Sequence, residues 1–356
     1  MIPEGDAIVL CADGFQSDNG KTAHGLIRSS ERYRIAAVID GPGAGRDAGT
    51  LLDGKPRGIA IFASVAEALA ALAERPRFAI VGIATSGGRI SPDLRAEIAG
   101  AIDAGLSIVN GLHELVADDP ALAAAARERG IELVDVRRPK RTSDLHFWTG
   151  AIRDVHAPRV AVLGTDCAVG KRTTARLLTE GCRAAGMNAE MIYTGQTGWL
   201  QGGRFGFILD ATPNDFVSGE LEHAIVSCAS ETFPDVIFLE GQSALRNPSG
   251  PCGSELILSA GARAVILQHA PARREFEGLE GMGYAIPPPE DEIELISRYG
   301  ARTIGLALST HGLAEPGRVR EELERRLGIP VACPLETGVA TLVAAVRAFV
   351  RHSSAA

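Results

Sequence analysis

Two parallel-sheet α/β domains are what this sequence predicts, one over residues 1–150 and a doubly wound one over 151–356. Three observations carry that expectation. Short apolar runs alternate with amphipathic stretches along the whole chain, the pattern of strands buried on both faces by helices. A length of 356 residues exceeds what one hydrophobic core comfortably organises. Near the middle, a strand, a glycine turn, a lysine, threonines and a helix follow one another as in a phosphate-binding loop.

In chain order, Ala7–Ala12 reads as a strand, Lys21–Ser29 as a short helix and Arg34–Asp40 as a second strand, followed by the turn Gly41–Gly45. That turn does not fit GxGxxG and follows the second strand, so it argues little for a dinucleotide. Ile59–Phe62 predicts a short strand, and Val65–Ala73 a helix of strong Ala/Leu propensity. Phe78–Ala84, Leu106–Asn110 and Ile131–Val136 predict strands, separated by helices at Pro92–Ala104 and Pro120–Arg129. The basic run Arg137–Arg141 breaks the alternation, and a solvated linker is expected from there to Pro158.

The second half restarts with the strand Val160–Leu163, the loop Gly164–Thr174 and a helix over Thr173–Ala185. Ala189–Tyr193 is the next strand, followed by a long glycine-rich loop and a helix over Asp215–Ser230. Val236–Leu239 predicts a strand ending in Glu240, and Ala264–Gln268 and Thr303–Leu308 two more. Helices at Glu290–Tyr299, Val319–Leu327 and Thr337–Val350 complete the set.

The loop is Gly164-Thr165-Asp166-Cys167-Ala168-Val169-Gly170-Lys171-Arg172-Thr173-Thr174. Amide groups of such a turn and of the following helix N-terminus converge on one anion, and Lys171 adds a point charge. Two departures from the usual pattern bear on function. Five residues separate the glycines instead of four, and Arg172 stands where a hydroxyl normally ligates Mg²⁺. Polyphosphate binding is therefore expected, and metal-dependent hydrolysis is not. No metal ligand set is assigned.

Ligands of doubly wound sheets sit beyond the carboxyl ends of the strands, which narrows the remaining candidates. Thr194, Gln196 and Thr197 offer hydroxyl and amide groups for an acyl or carboxylate group, with a tight structural loop as the competing reading. Thr212 or Asn214 suits a helix cap, and Asp215 suits the first turn. On that helix Asp215, Gly219 and Glu222 share a face, so something bulky could approach between two carboxylates. Glu240 ends a Walker-B-like strand: in an NTPase such an acid would hold Mg²⁺ or orient water, and in a metal-free site, partly desolvated, it would gain basicity and serve as a general base. His269 follows a strand and is either an acid/base or a satisfied structural residue. Arg273 or Arg274 is a candidate for a substrate carboxylate, with a solvated turn as the competing reading. Asp18–Gly25 resembles a degenerate anion turn whose Lys21 reaches a carboxylate or phosphate, or else simply starts a helix.

Composition removes several classes. A net charge of −8 argues against nucleic acid or an anionic membrane as partner. No apolar run reaches the ~20 residues that span a bilayer, and the acidic start lacks a signal-peptide pattern. Six scattered cysteines without a CxxC pair suit reduced thiols, so a cytoplasmic protein is expected, with a homo-oligomer as the default assembly. Cys167 reads as a small loop filler rather than a nucleophile.

Taken together, Lys21-Thr22-Ala23, the Gly164–Thr174 loop, Thr194–Gly198, Asp210 with Asp215-Phe216, Glu240-Gly241-Gln242 and His269 resemble the DUF1611 family over nearly the whole chain. The resemblance implies a Rossmann-like N-terminal domain and a P-loop NTPase-like C-terminal domain. It also implies N-acetylation of an amino acid, D-glutamate being the expected substrate, by acetyl-CoA, whose phosphates the loop would cradle without hydrolysis. On this view Glu240, Asp215 and His269 are the catalytic candidates, the loop binds the cofactor, and Lys21, Thr194, Gln196, Thr197, Asp210, Gln242 and Arg273 face the substrate. The loop alone is also similar to that of dethiobiotin synthetase, which shares the five-residue spacing but has Thr where this chain has Arg172. An ATP-dependent ligase or kinase using Mg-ATP is therefore the alternative, and a non-catalytic nucleotide sensor the third reading.

Overall fold

The computed structural model describes residues 4–353. The chain forms two compact units, 1–140 with 196–202, and 141–195 with 203–356; the sequence-based boundary lies at 150/151.

In the first unit, β1 (Gly5–Leu10), α1 (Lys21–Arg28), β2 (Tyr33–Ile39), α2 (Ala48–Asp53), β3 (Ala60–Phe62), α3 (Val65–Ala71), β4 (Phe78–Val81), α4 (Pro92–Asp103), β5 (Ser107–Asn110), α5 (Pro120–Arg129) and β6 (Leu133–Asp135) alternate regularly. All six strands are parallel, in the order β3-β2-β1-β4-β5-β6, which is the Rossmann order. Helix starts follow local chemistry. Ser91 accepts from Leu94 N and Asp119 from Ala121 N and Leu122 N, each with proline at the first helical position. The sheet core is apolar on both faces, with β4 and the inner residues of β1 fully enclosed.

The second unit contains β7 (Arg159–Gly164), α6 (Lys171–Ala184) and β8 (Ala189–Tyr193). After β8 comes α7 (Gln196–Leu200), which packs in the first unit. The second unit continues with β9 (Phe205–Gly206), α8 (Asn214–Thr232), β10 (Val236–Glu240), α9 (Ser254–Leu258) and β11 (Ala264–His269). It ends with α10 (Pro289–Arg298), β12 (Arg302–Leu308), α11 (Pro316–Leu327), β13 (Val331–Ala332) and α12 (Ala340–Ser353). Its seven strands are parallel, in the order β13-β12-β11-β7-β10-β8-β9. β7 is central; β11, β12 and β13 follow outward on one side, and on the other β10 inserts between β7 and β8. The loops after β7, β10 and β11 therefore emerge side by side, with Glu240 in register with Val162 and Gln268 with Gly164. Among the described residues no helix is long and apolar enough to cross a membrane.

Three expectations change. The glycine-rich loop after Tyr193 contains α7, tied into the first unit by Gln201 Nε2 donating to Gly25 O and Ser29 O, both at 2.8 Å. Neither Thr212 nor Asn214 caps α8. The N-cap is Pro213, and the Thr212 hydroxyl donates to Ile208 O at 2.8 Å.

The segment expected as a solvated linker is docked at both ends. Arg137 Nη2 donates to Gln196 Oε1 at 2.8 Å within the first unit. In the second unit, buried Glu222 accepts from Thr149 N, Thr149 Oγ1, Gly150 N and Ile152 N at 2.6–3.1 Å. Glu220, two residues earlier on α8, accepts from His146 N and Nδ1 at 2.8 Å. What approaches α8 at Gly219 is thus the chain's own backbone: a Cβ there would lie 2.1 Å from His146 O. Gly219→Ala should destabilise the second unit by about 1–3 kcal/mol through overpacking, read as a lower urea midpoint. An unchanged midpoint would contradict the close approach.

Candidate active site

The phosphate loop begins where β7 ends and closes on α6, which starts at Lys171, two residues before the sequence-based expectation. Its geometry is forced at two positions. Gly170 caps the helix at φ 109°, and Ala168 holds φ 47°, a left-handed conformation costing a residue with a Cβ roughly 1–2 kcal/mol. Val169 is buried and helps anchor the turn. The first turn of α6 contains Lys171 and Arg172 and no acid. Two cations at the positive end of a helix dipole oppose the dipole unless an anion joins them.

Lys171 is buried, and its Nζ donates to Asp166 O and Ser243 O, both at 2.6 Å. Its stem runs past Gly164 and Gly241, where a Cβ would lie 2.9 and 3.2 Å from its Cδ. Burial lowers its pKa, against the nearby Cys167 and Asp166. The Thr174 hydroxyl donates to Gln268 Oε1 at 2.5 Å, and Thr165 N donates to Gln268 O at 3.0 Å. Thr173 is half-buried at the third helical position. The Cys167 thiol donates to Ser243 Oγ at 3.3 Å.

Asp166 organises the loop's flank. Its carboxylate, without exposed surface, accepts from Asn247 Nδ2 at 3.0 Å, Arg273 Nη1 at 2.7 Å and Glu277 N at 2.8 Å. Arg273 Nη1 also donates to Cys167 O at 2.7 Å. The arginine read from the sequence as a substrate anchor is therefore a brace of the phosphate loop.

Glu240 stands beside the loop at the end of β10 and is buried. Its Oε2 accepts from Thr194 N at 3.0 Å, while Thr194 Oγ1 donates to Glu240 O at 2.8 Å and accepts from Gln242 Nε2 at 2.9 Å. Burial raises the pKa of Glu240; the charge of Arg172 and the amides of Thr194 and Gly195 oppose that rise without cancelling it. Arg172, in the slot of the Mg²⁺-ligating hydroxyl, thus acts electrostatically on the acid that would share a metal in an NTPase. Glu240, Thr194 and Gln242 form one connected group with the loop.

Asp215 and Asp210 are exposed, Asp215 in the first turn of α8 where it suits the dipole. Gln196 and Thr197 belong to the first unit, where Gln196 accepts from Arg137 and the Thr197 hydroxyl lies 3.3 Å from that of Thr22. Lys21 is exposed at the start of α1. The turn before it is packed on itself, a Cβ at Gly20 meeting Phe15 O at 2.3 Å. Ser243, Asn247 and Glu277 escaped sequence reasoning. Only the turn signal of Asn247-Pro248-Ser249-Gly250 marked their neighbourhood.

His269 sits at the end of β11 with its Nδ1 hydrogen-bonded to the Thr165 hydroxyl at 2.9 Å. Burial lowers its pKa to about 4, so the ring is neutral at pH 7 and cannot act there as a general acid. A folded pKa below the ordinary 6.5 means that the folded state binds fewer protons. The stability linked to His269 is complete above about 6.5 and is lost as pH falls toward about 4. Its imidazole resonances should stay flat between about pH 5.5 and 8 in NMR titration; a midpoint near 6.5 would contradict the buried, neutral ring.

Residues 146–343 match the model of the DUF1611 C-terminal P-loop domain, and residues 42–139 that of the DUF1611 N-terminal Rossmann-like domain, both described as domains of unknown function. The chain is 32% identical over 279 residues to a protein of Tritonibacter scottomollicae named D-glutamate N-acetyltransferase, covering 76% of this chain and 80% of that one. A protein of the same name from a Pseudoalteromonas species is 30% identical over 275 residues, covering 74% and 80%. The crystal structure of a DUF1611 family protein from Anabaena variabilis ATCC 29413 superposes with a TM-score of 0.86 at 30% identity, over 96% of this chain and 99% of that one. The chain belongs to the DUF1611 family, with its Rossmann-like and P-loop domains.

Proposed function

We propose that this protein is an acetyl-CoA-dependent N-acetyltransferase with D-glutamate as acceptor. The names of the two relatives motivate the reaction and the acceptor. The observation that carries the chemistry is Glu240, a buried carboxylate with a raised pKa one strand away from the phosphate loop. The donor set fits a phosphate-bearing carrier: Lys171, Arg172 and the N-terminal amides of α6 supply positive potential. The hydroxyl slot for a metal is filled by a guanidinium.

The bound thioester supplies an activated acetyl carbon. Glu240 takes a proton from the substrate ammonium, freeing the lone pair that forms the new N–C bond as the C–S bond breaks. The second proton lost by nitrogen leaves with the thiol or with solvent. Thr194 N holds the carboxylate in place, Thr194 Oγ1 donates to the Glu240 backbone carbonyl, and Gln242 fixes the Thr194 hydroxyl. Asp215, being exposed, is the weaker candidate for the base.

Purified protein given acetyl-CoA and D-glutamate should release free thiol and form N-acetyl-D-glutamate, detected by mass spectrometry. Thiol release that does not require an amino acid, or no product at all, would sink this reading. Glu240→Gln should lower kcat by ~10²–10⁴-fold, whereas Asp215→Asn should change it little. Because the carboxylate must be ionised and its pKa is raised, kcat/KM should fall on the acid side at a pH above the ordinary glutamate value of 4.5. Lys171→Ala should raise KM for acetyl-CoA and, by removing a positive charge that lowers the pKa of Glu240, move that acid limb to higher pH.

A further inference from the structure

After β11 the chain passes through Arg273 into a hairpin. Glu275 and Ala285 form an antiparallel bridge, Phe276 N donates to Tyr284 O at 3.1 Å, and Ile286 N donates to Arg274 O at 2.9 Å. The Glu275 carboxylate builds the turn from inside, accepting from Gly281 N at 2.7 Å and Gly283 N at 3.0 Å, while Glu280 accepts from Gly278 N at 3.1 Å. Phe276 anchors the base in the interior, yet the tip presents Met282 and Tyr284 to solvent, 65% and 50% exposed. The base is fastened to the phosphate loop itself, through Glu277 N and Arg273 Nη1 on the Asp166 carboxylate.

We propose that this hairpin is the second wall of the carrier site, with Tyr284 and Met282 packing against the adenine ring of a ligand whose phosphates lie in the Gly164–Thr174 loop. The proposal rests on the reading that this loop holds a phosphate-bearing carrier. Charge decides which end of the ligand the hairpin meets. Between Arg274 and Ile286 the three carboxylates of Glu275, Glu277 and Glu280 outnumber the single Arg274, so the hairpin is net acidic, disfavours phosphates and suits an uncharged ring. An aromatic face and a polarisable thioether are suited to a nucleobase, which offers π-surface without needing specific hydrogen bonds. The Asp166 tether fixes the distance between phosphate cradle and wall, favouring a ligand that carries both groups over bare polyphosphate.

The test is calorimetric titration of the full chain with CoA, ATP and tripolyphosphate, on wild type, Tyr284→Phe and a Met282→Ala/Tyr284→Ala double variant. The double variant should lose roughly tenfold in affinity for CoA with no change for tripolyphosphate, and Tyr284→Phe should behave as wild type. Amide exchange at Phe276 and Ile286 should slow more with CoA than with tripolyphosphate. A double variant that binds CoA like wild type, or weakens equally toward all three probes, overturns the wall. So does a wild type that binds adenine carriers no better than tripolyphosphate. A wild type that takes ATP but not CoA refutes the acetyl-CoA reading alone; there the wall stands if the double variant loses ATP tenfold, and falls if it does not. Binding of none of the probes overturns both.

Discussion

A carboxylate with no exposed surface, that of Asp166, takes donors from three segments remote in sequence: Asn247 after β10, Arg273 after β11, and Glu277 on the hairpin beyond. A buried charge is tolerated only when it is paired and hydrogen-bonded, so these three partners are required as much as provided. Removing any one leaves part of the charge uncompensated in a low-dielectric setting. The result is that the loops after β7, β10 and β11 are fixed relative to one another at the carboxyl edge of the sheet. Everything proposed for this site depends on that fixation, from the position of Lys171 to the base of the hairpin.

Within that frame the electrostatics diverge from a metal-dependent NTPase. There, a hydroxyl after the lysine and a strand-end acid share Mg²⁺. Here a guanidinium occupies the first position and its charge acts on the second, so the positive partner of Glu240 belongs to the chain. Burial keeps the carboxylate more basic than usual, and the Thr194 amide keeps it oriented. The opposite treatment falls to His269, whose burial holds it neutral. The two environments push these titratable groups apart: the Glu240 carboxylate is more basic than an ordinary glutamate, whereas the neutral His269 is hydrogen-bonded to the Thr165 hydroxyl.

The fold was legible because its evidence is local. Apolar runs such as Phe78–Ala84, of which Phe78–Val81 is β4, and Val236–Leu239 read as strands without any knowledge of neighbours, and proline at the first turn of α4 and α5 marked their starts. The phosphate loop was legible for the same reason, since turn, lysine and helix are contiguous. What was missed is long-range. Nothing near Asp166 in sequence announces Asn247 or Glu277, and nothing in the basic run Arg137–Arg141 reveals that Thr149 and Gly150 dock on Glu222 seventy-odd residues away. Gln196 and Thr197 show the same limit. Their place after a strand resembled a ligand loop, but the helix they start packs in the first unit. Gly219 was recognised as making room; the occupant is the backbone of His146.

The central claim is that the Gly164–Thr174 loop holds a phosphate-bearing acyl carrier, with Arg172 standing in for a metal. Side-by-side calorimetry with acetyl-CoA and with ATP, each with Mg²⁺ and again with excess EDTA, tests it most directly. Saturable acetyl-CoA binding of the same affinity in both conditions is the expected result. Tight, Mg²⁺-dependent ATP binding with no acetyl-CoA binding would contradict it.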